Sequence, residues 1–89
     1  MDAKQAVAVA KAYFIELVGV EPSVEEVWFE QSSRIWCITF GRSRMLLDGA
    51  GGLVMPGARR EVIEYKIVRV SDEDGKPISL LNRETGRAA

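Results

Sequence analysis

The chain has 89 residues, of which 47% are hydrophobic and 28% are charged, and this composition is typical of one soluble globular domain. Its 12 basic and 13 acidic residues leave a formal net charge of −1, so the whole chain creates no positive field for nucleic acid or an anionic membrane. Histidine is absent and Cys37 is the single cysteine, which excludes an internal disulfide, a multi-cysteine zinc site and the commonest general base. We therefore expect a protein that is not an enzyme and that needs no cofactor or metal.

The sequence contains no recognisable targeting signal. The N-terminus lacks a basic region and Lys11 interrupts the apolar residues around it, so we expect no signal peptide. No apolar run reaches the roughly 20 residues that cross a bilayer, so we expect no membrane partner. These features favour a cytoplasmic protein, and one free thiol agrees with that compartment.

The first predicted element is a helix over residues 3–18. Asp2 can cap its N-terminus, and Gly19 can end it in a left-handed conformation. Between them the apolar residues recur at the helical period, at Ala3, Ala6, Val7, Ala10, Phe14, Leu17 and Val18. The small side chains in the first half of this stripe predict a close approach to a sheet.

Two strands, at about 24–31 and 34–41, are expected to follow as a hairpin. A two-residue turn at Ser32-Ser33 makes the numbers of paired residues sum to 65, although a longer turn is also compatible. This register sorts the side chains by face, with Val27–Ile38 and Phe29–Trp36 on one face and Trp28–Cys37 and Glu30–Ile35 on the other.

The second half of the chain predicts two more strands after a glycine-rich insertion at 42–60. The insertion is either a hairpin that extends the neighbouring strands or a mobile flap. A strand at about 61–71 has apolar residues on both faces, which indicates a bulge or burial on both sides. Asp72 through Gly75 is a strong turn signal, and a fourth strand is expected at about 77–82, with Ile78 and Leu80 on one face.

One helix and four strands predict a single α+β domain over residues 1–89, in which a curled four-stranded antiparallel sheet packs on the helix as an α-β-β-β-β roll. The stretch Tyr65–Val70, the turn that follows it and Ile78-Ser79-Leu80 resemble the strand–turn–strand of PepSY-like and cystatin-like domains. The helix ending in Tyr13-Phe14 and the first hairpin suit that pattern. The resemblance implies a small module that binds or inhibits other proteins. Because the first turn lacks the glutamine-valine-glycine loop of cystatins, it implies no residue for protease inhibition.

Several short motifs suggest chemistry but lack the spacing that it requires. The adjacent Glu25 and Glu26 point to opposite faces of a strand, so they cannot converge on one substrate atom. The acidic turn 72–75 lacks the rest of a calcium-binding loop, and the glycine-rich stretch 48–52 lacks the residues of a phosphate-binding loop. Without a histidine to activate it, Cys37 is interpreted as a packed thiol.

The charges are unevenly distributed along the chain. Residues 1–31 carry six acids and two bases, whereas residues 32–60 carry five bases and one acid. Four of these bases flank the glycine-rich stretch, at Arg42, Arg44, Arg59 and Arg60. They could form a basic patch for nucleic acid or an acidic protein, or they could pair with Glu61 and Glu64.

The predicted hairpin leaves one face of the sheet without a cover. If the helix packs on Phe29, Trp36 and Ile38, then Trp28, Ile35 and Cys37 form an exposed apolar group, unless the segment 41–60 buries them. We therefore predict a protein-binding or regulatory module, such as an inhibitor or immunity-type subunit. It would form a homodimer or bind an unidentified partner protein through this face. The alternative is a weak nucleic-acid binder that uses the four arginines.

Overall fold

The computed structural model describes residues 1–47 and 59–83. For residues 44–47 and 59–61 it describes the backbone only. The elements in these ranges are α1 (Ala3–Val18), β1 (Ser23–Glu30), β2 (Ile35–Leu47), β3 (Arg59–Ser71) and β4 (Pro77–Arg83). Each strand pairs antiparallel with the next, so the order across the sheet is β1-β2-β3-β4. The prediction of a small α+β fold with one helix and a four-stranded antiparallel sheet is confirmed.

Both ends of α1 are capped as the sequence predicts. The Asp2 carboxylate accepts a hydrogen bond from the Gln5 backbone N–H, and the Gln5 side chain accepts one from the Asp2 N–H, both at 2.8 Å. This capping box satisfies N–H groups that the first helical turn leaves without partners. At the other end Gly19 has a φ of 90°, and its N–H donates to the Ile15 carbonyl at 2.8 Å. Glycine adopts this left-handed conformation without steric strain, so the helix stops here.

The first hairpin has the predicted register but a longer turn. The structure contains all four predicted pairs, Val27–Ile38, Trp28–Cys37, Phe29–Trp36 and Glu30–Ile35. Residues 31–34 form a four-residue turn in place of the two-residue turn at Ser32-Ser33, and Arg34 closes it with a φ of 57°. Since the turn grows by one residue on each side, the sum of paired numbers is unchanged and the register is the same.

The two central strands are longer than predicted because they continue into the glycine-rich insertion. The strands expected at 34–41 and 61–71 are Ile35–Leu47 and Arg59–Ser71, and they stay paired as far as Leu47 and Arg59. Residues 42–47 and 59–60 therefore extend the neighbouring strands as a hairpin would, which is one of the two alternatives for this segment. Residues 48–58, where a flap was the other alternative, lie outside the described residues.

The continuation of β2 and β3 forms a two-stranded arm, which we define as residues 42–47 and 59–64. β1 begins opposite Gly41 and β4 ends opposite Tyr65, so within the described chain the arm has no third strand beside it. With 13 residues each, β2 and β3 reach about 43 Å. Two strands alone bury little apolar surface, so the arm is less well supported than the rest of the sheet.

The core lies between α1 and one face of the sheet. Its buried side chains are Ala6, Ala10 and Phe14 from the helix and Ile38, Phe40, Val68 and Val70 from the two central strands. The rings of Phe14 and Phe40 are tilted by 56° with their centroids 5.2 Å apart, and such offset aromatic packing is favourable. Leu17, which the sequence places in the apolar stripe, is instead 56% exposed.

Two β-bulges shift the register at the edges of the sheet. In β1 the extra residue is Glu25, because Val24 pairs with Phe40 and Glu26 with Thr39. In β4 it is Ile78, because Arg69 pairs with Ser79 while Val70 pairs with Pro77. A bulge in the third strand was one of two alternatives for its apolar pattern, and the register shift lies instead in its partner β4. Ile78 and Leu80, which the sequence places on one face, have different environments, because Leu80 packs against the core and Ile78 at the bulge is exposed.

Asp72 joins segments that are distant in the sequence. Its carboxylate accepts hydrogen bonds from the Trp36 indole N–H at 3.0 Å and from Arg34 at 2.8 Å, and the Met1 ammonium lies 3.6 Å away. The Trp36 hydrogen bond, with help from the two positive charges, lowers the pKa of Asp72 against the opposing effect of its partial desolvation. Asp72 therefore ties the β1–β2 turn, the β3–β4 turn and the start of α1 together at one end of the sheet.

We predict that Asp72→Asn lowers the melting temperature at pH 7, because the charged acceptor of both hydrogen bonds is lost. A carboxyl whose folded-state pKa is depressed stabilises the fold above its unfolded pKa and loses that effect as pH falls through the folded value. The melting temperatures of wild type and variant should therefore converge below pH 3.8, the ordinary value for this group. Thermal unfolding by circular dichroism from pH 7 to pH 2 measures this. The exposed neighbour Glu73 gives the control, Glu73→Gln, and a pH-independent difference for Asp72→Asn would contradict the assignment.

We predict that Phe14→Ala destabilises the domain by about 3–5 kcal/mol, because it removes the largest helical side chain of the core and leaves a cavity against Phe40. The matched control is Leu17→Ala on the exposed side of the same helix, which should change the stability by less than about 0.5 kcal/mol. Chemical denaturation gives both values. Equal effects of the two variants would show that the helix does not pack as described.

Candidate interaction surface

The sheet face opposite α1 carries no helix in the described part of the chain. Because side chains alternate along a strand, the residues between the buried core positions point to this side. We call it the open face. Its side chains, row by row across the sheet, include Glu30 and Ile35, then Trp28, Cys37, Arg69 and Ser79, then Glu26, Thr39, Ile67 and Leu81.

The apolar part of the open face comes from all four strands. Trp28 on β1 is 41% exposed and Leu81 on β4 is 50% exposed, while Ile35 and Ile67 on the two central strands are half-buried. Trp28 and Ile35 are two of the three residues that the sequence predicts for this surface. The third, Cys37, lies between them and is only 5% exposed, so it forms the floor of the surface rather than a contact point.

Sequence reasoning missed two members of this surface. Ile67 is visible in the alternation of the third strand, but only the pairing of β3 with β2 places it beside the first hairpin. Leu81 follows Leu80, so alternation places it on the face opposite Leu80, but only the pairing of β4 with β3 shows that this is the open face. The sequence does not specify which face of this short strand packs on the helix, so Leu81 could not be assigned to the surface without the register.

The Cys37 thiol is a packed side chain. Burial raises its pKa, and the negative charge of Glu30 raises it further, while Arg69 lowers it through its charge and a hydrogen bond. The net shift is upward, so the thiol stays protonated at neutral pH and is a poor nucleophile. Glu30 on β1 and Arg69 on β3 therefore lie close to this thiol, on the two strands that flank β2.

Glu30 and Arg69 make no ion pair with any described residue. The Glu30 carboxylate accepts a hydrogen bond from the Ser33 hydroxyl at 2.6 Å and is otherwise exposed. The half-buried Arg69 contacts Cys37. Beside Arg69 in the ladder, the buried Ser79 hydroxyl has no hydrogen-bond partner. Two charges without an ion pair and one hydroxyl without a hydrogen bond therefore lie within a largely apolar surface.

A polar bridge closes the open face at the end from which the arm extends. Arg83 on β4 and Glu26 on β1 form an ion pair at 3.0 Å, although in a flat sheet these edge strands would be about 14 Å apart. The two long side chains therefore reach toward each other across this face. Thr39 is fully buried beneath the bridge and its hydroxyl donates to Glu26 at 3.3 Å, so this end is already satisfied.

The four predicted patch arginines all lie on the arm. The register places Arg44 opposite Val62, and it places Arg60 and Arg59 opposite Leu46 and Leu47. The Arg42 guanidinium pairs with the Glu64 carboxylate at 3.0 Å, and both side chains are half-buried. The structure therefore brings the four positions together, but at Arg42 the charge is neutralised within the chain, as the alternative interpretation of these arginines expected.

Across residues 1–47 and 59–83 no group of three or more cysteine, aspartate or glutamate side chains could hold a metal ion. In the same ranges no helix is both long enough and apolar enough to span a bilayer.

Comparisons of the chain with protein-family models, with curated proteins and with solved structures found no match. The resemblance to PepSY-like and cystatin-like domains therefore stays a prediction.

Proposed function

We propose that this chain is a non-enzymatic protein-binding module that self-associates through the open face. The observation that carries the proposal is the exposure of Trp28 and Leu81 on a sheet face without a helix, next to the half-buried Ile35 and Ile67. A contiguous apolar patch in water is unfavourable, and such patches usually mark an interaction site.

The size of the chain supports a partner at this face. A domain of about 90 residues buries only about 60–65% of the surface that its unfolded chain exposes, so its own core is small. Covering the open face with a second protein surface would remove further apolar area from water, at about 25 cal/mol for each Å². Self-association would therefore add to the stability of the fold.

The residue types on the open face suit an interface centre. Tryptophan and arginine are the side chains that most often dominate binding energy, and Trp28 and Arg69 lie in the same row of the sheet. A module of this kind could act in the cytoplasm as an inhibitor or immunity-type subunit, in line with the resemblance stated above. In that case the open face would bind either its own copy or the target.

The second candidate function is weak nucleic-acid binding by the arm. The observation in its favour is that β2 and β3 carry Arg42, Arg44, Arg59 and Arg60 onto one projecting ribbon. The pairing of Arg42 with Glu64 argues against it, because a neutralised arginine releases no counterions on binding a phosphate. We therefore favour the protein-binding function.

We predict that the wild-type protein sediments as a dimer and that Trp28→Glu converts it to a monomer, because a charge would then have to be buried at the centre of the apolar patch. The matched control is Leu17→Glu, which adds the same charge at an exposed apolar position on the helix side. Analytical ultracentrifugation over a range of concentrations measures both variants. A wild-type monomer at every concentration, or equal dissociation of both variants, would refute self-association through the open face.

We predict that the protein does not bind a fluorescent single-stranded oligonucleotide in a salt-dependent way. Fluorescence anisotropy between 50 and 200 mM salt tests this, because four arginine–phosphate contacts with a single strand would weaken binding by about 50-fold over that range. The comparison variant replaces Arg42, Arg44, Arg59 and Arg60 with glutamine. Steeply salt-dependent binding by the wild type that this variant loses would establish the nucleic-acid function instead.

A further inference from the structure

Two opposite charges on the open face lack an ionic partner within the described chain. Glu30 lies on β1 and Arg69 on β3, with β2 between them. Glu30 is opposite Ile35 and Arg69 is opposite Cys37. The two residues are about 10 Å apart across the sheet and about 7 Å apart along it, by ordinary strand geometry. They form no ion pair with each other, unlike Glu26 and Arg83 at the bridged end.

Arg69 needs a counter-charge once the open face is covered. Its guanidinium carries five N–H donors and stays protonated, and its side chain is half-buried beside Cys37. Withdrawing a charge from water without a counter-charge is costly, and covering the open face with an apolar surface would increase that cost. Whatever covers this face must therefore bring a carboxylate or another anion to Arg69.

We propose that the open faces of two copies pack across a two-fold axis, with Glu30 of each copy binding Arg69 of the other. The inference rests on the proposed self-association and names the contacts that direct it. A second copy fits because it carries the missing carboxylate on the same face. In a two-fold interface, if residue i of one copy meets residue j of the other, then j also meets i. Both charge pairs would therefore form together, on either side of the axis.

The neighbouring side chains fit this arrangement. The open face beside Arg69 offers no described carboxylate of the same chain that pairs with the guanidinium, so the position is open to the carboxylate of a second copy. Trp28 and Ile35 lie beside the two charges and would exclude water from the pairs, which strengthens them.

The inference can be tested by exchanging the charges on separate chains. Glu30→Arg places two positive residues at the contact and Arg69→Glu places two negative ones, so each variant alone should dimerise about 100-fold more weakly than wild type, or worse. An equimolar mixture restores both pairs. The Glu30→Arg chain carries positive charges at positions 30 and 69, and the Arg69→Glu chain carries negative charges at both, so each position 30 again meets an opposite charge at position 69 of the other chain. We expect the mixture to form a heterodimer with near wild-type affinity. Analytical ultracentrifugation of each variant and of the mixture measures this.

Two further measurements keep the test decisive. Circular dichroism establishes whether each variant is folded. If a charge-reversal variant does not fold, the neutral variants Glu30→Gln and Arg69→Gln are measured in its place. Each neutral variant should weaken the dimer by less than its charge-reversal counterpart. The control is Glu73→Arg, a charge reversal on the exposed β3–β4 turn, which should leave the affinity of the dimer unchanged.

The outcomes separate this inference from the proposed function. If Trp28→Glu abolishes the dimer while Glu30→Arg and Arg69→Glu still dimerise alone, the charge pairing is wrong and binding through the open face stands. If both charge variants are folded monomers and their mixture also stays monomeric, the charge pairing is again wrong and binding through the open face stands. If the wild type is monomeric at every concentration, both the pairing and the self-association are wrong.

Discussion

The packing of Phe14 on Phe40 decides how the rest of the molecule is arranged. A single helix of 16 residues can cover only one face of a four-stranded sheet, and this contact selects the face that carries Ile38 and Val68. The alternating side chains of the same strands are then directed away from the core. The exposed position of Trp28 is thus a direct consequence of where the helix lies, since no second helix follows in the described chain.

The fold itself compensates for only part of this uncovered face. At the end near the arm, the pair formed by Glu26 and Arg83 spans the sheet and covers Thr39. At the opposite end Asp72 holds the turns together, but its contacts with Trp36 and Arg34 lie at the edge of the core and leave the open face uncovered. Between these two polar anchors remain the apolar side chains and the unpaired charges of Glu30 and Arg69. The incomplete coverage is therefore confined to the middle of the sheet.

How far the sequence predicts this structure depends on the range of the interaction concerned. The helix with its caps and the first hairpin follow from signals a few residues apart, and the pairing of Trp28 with Cys37 needs only the alternation of apolar side chains. The turn length stayed open because a two-residue and a four-residue turn give the same register. The bulges at Glu25 and Ile78 and the length of the arm have no local signal that could be used. The neighbourhood of Arg69 depends on how β3 pairs with β2 across the glycine-rich insertion, so the sequence alone could not place it beside Cys37.

The edges of the sheet explain why association would use its face. An exposed edge strand can pair with another chain through its free backbone groups, and proteins block this with charges, bulges and proline. β1 has a bulge at Glu25 and further carboxylates at Glu26 and Glu30, and β4 begins at Pro77 with a bulge at Ile78. Both edges of the four-stranded region are therefore poor templates for a further strand. With edge pairing disfavoured on both sides of the four-stranded region, contact between open faces is the route there that would bury apolar surface without breaking the ladder, and the proposed charge pairs would then decide which partner fits.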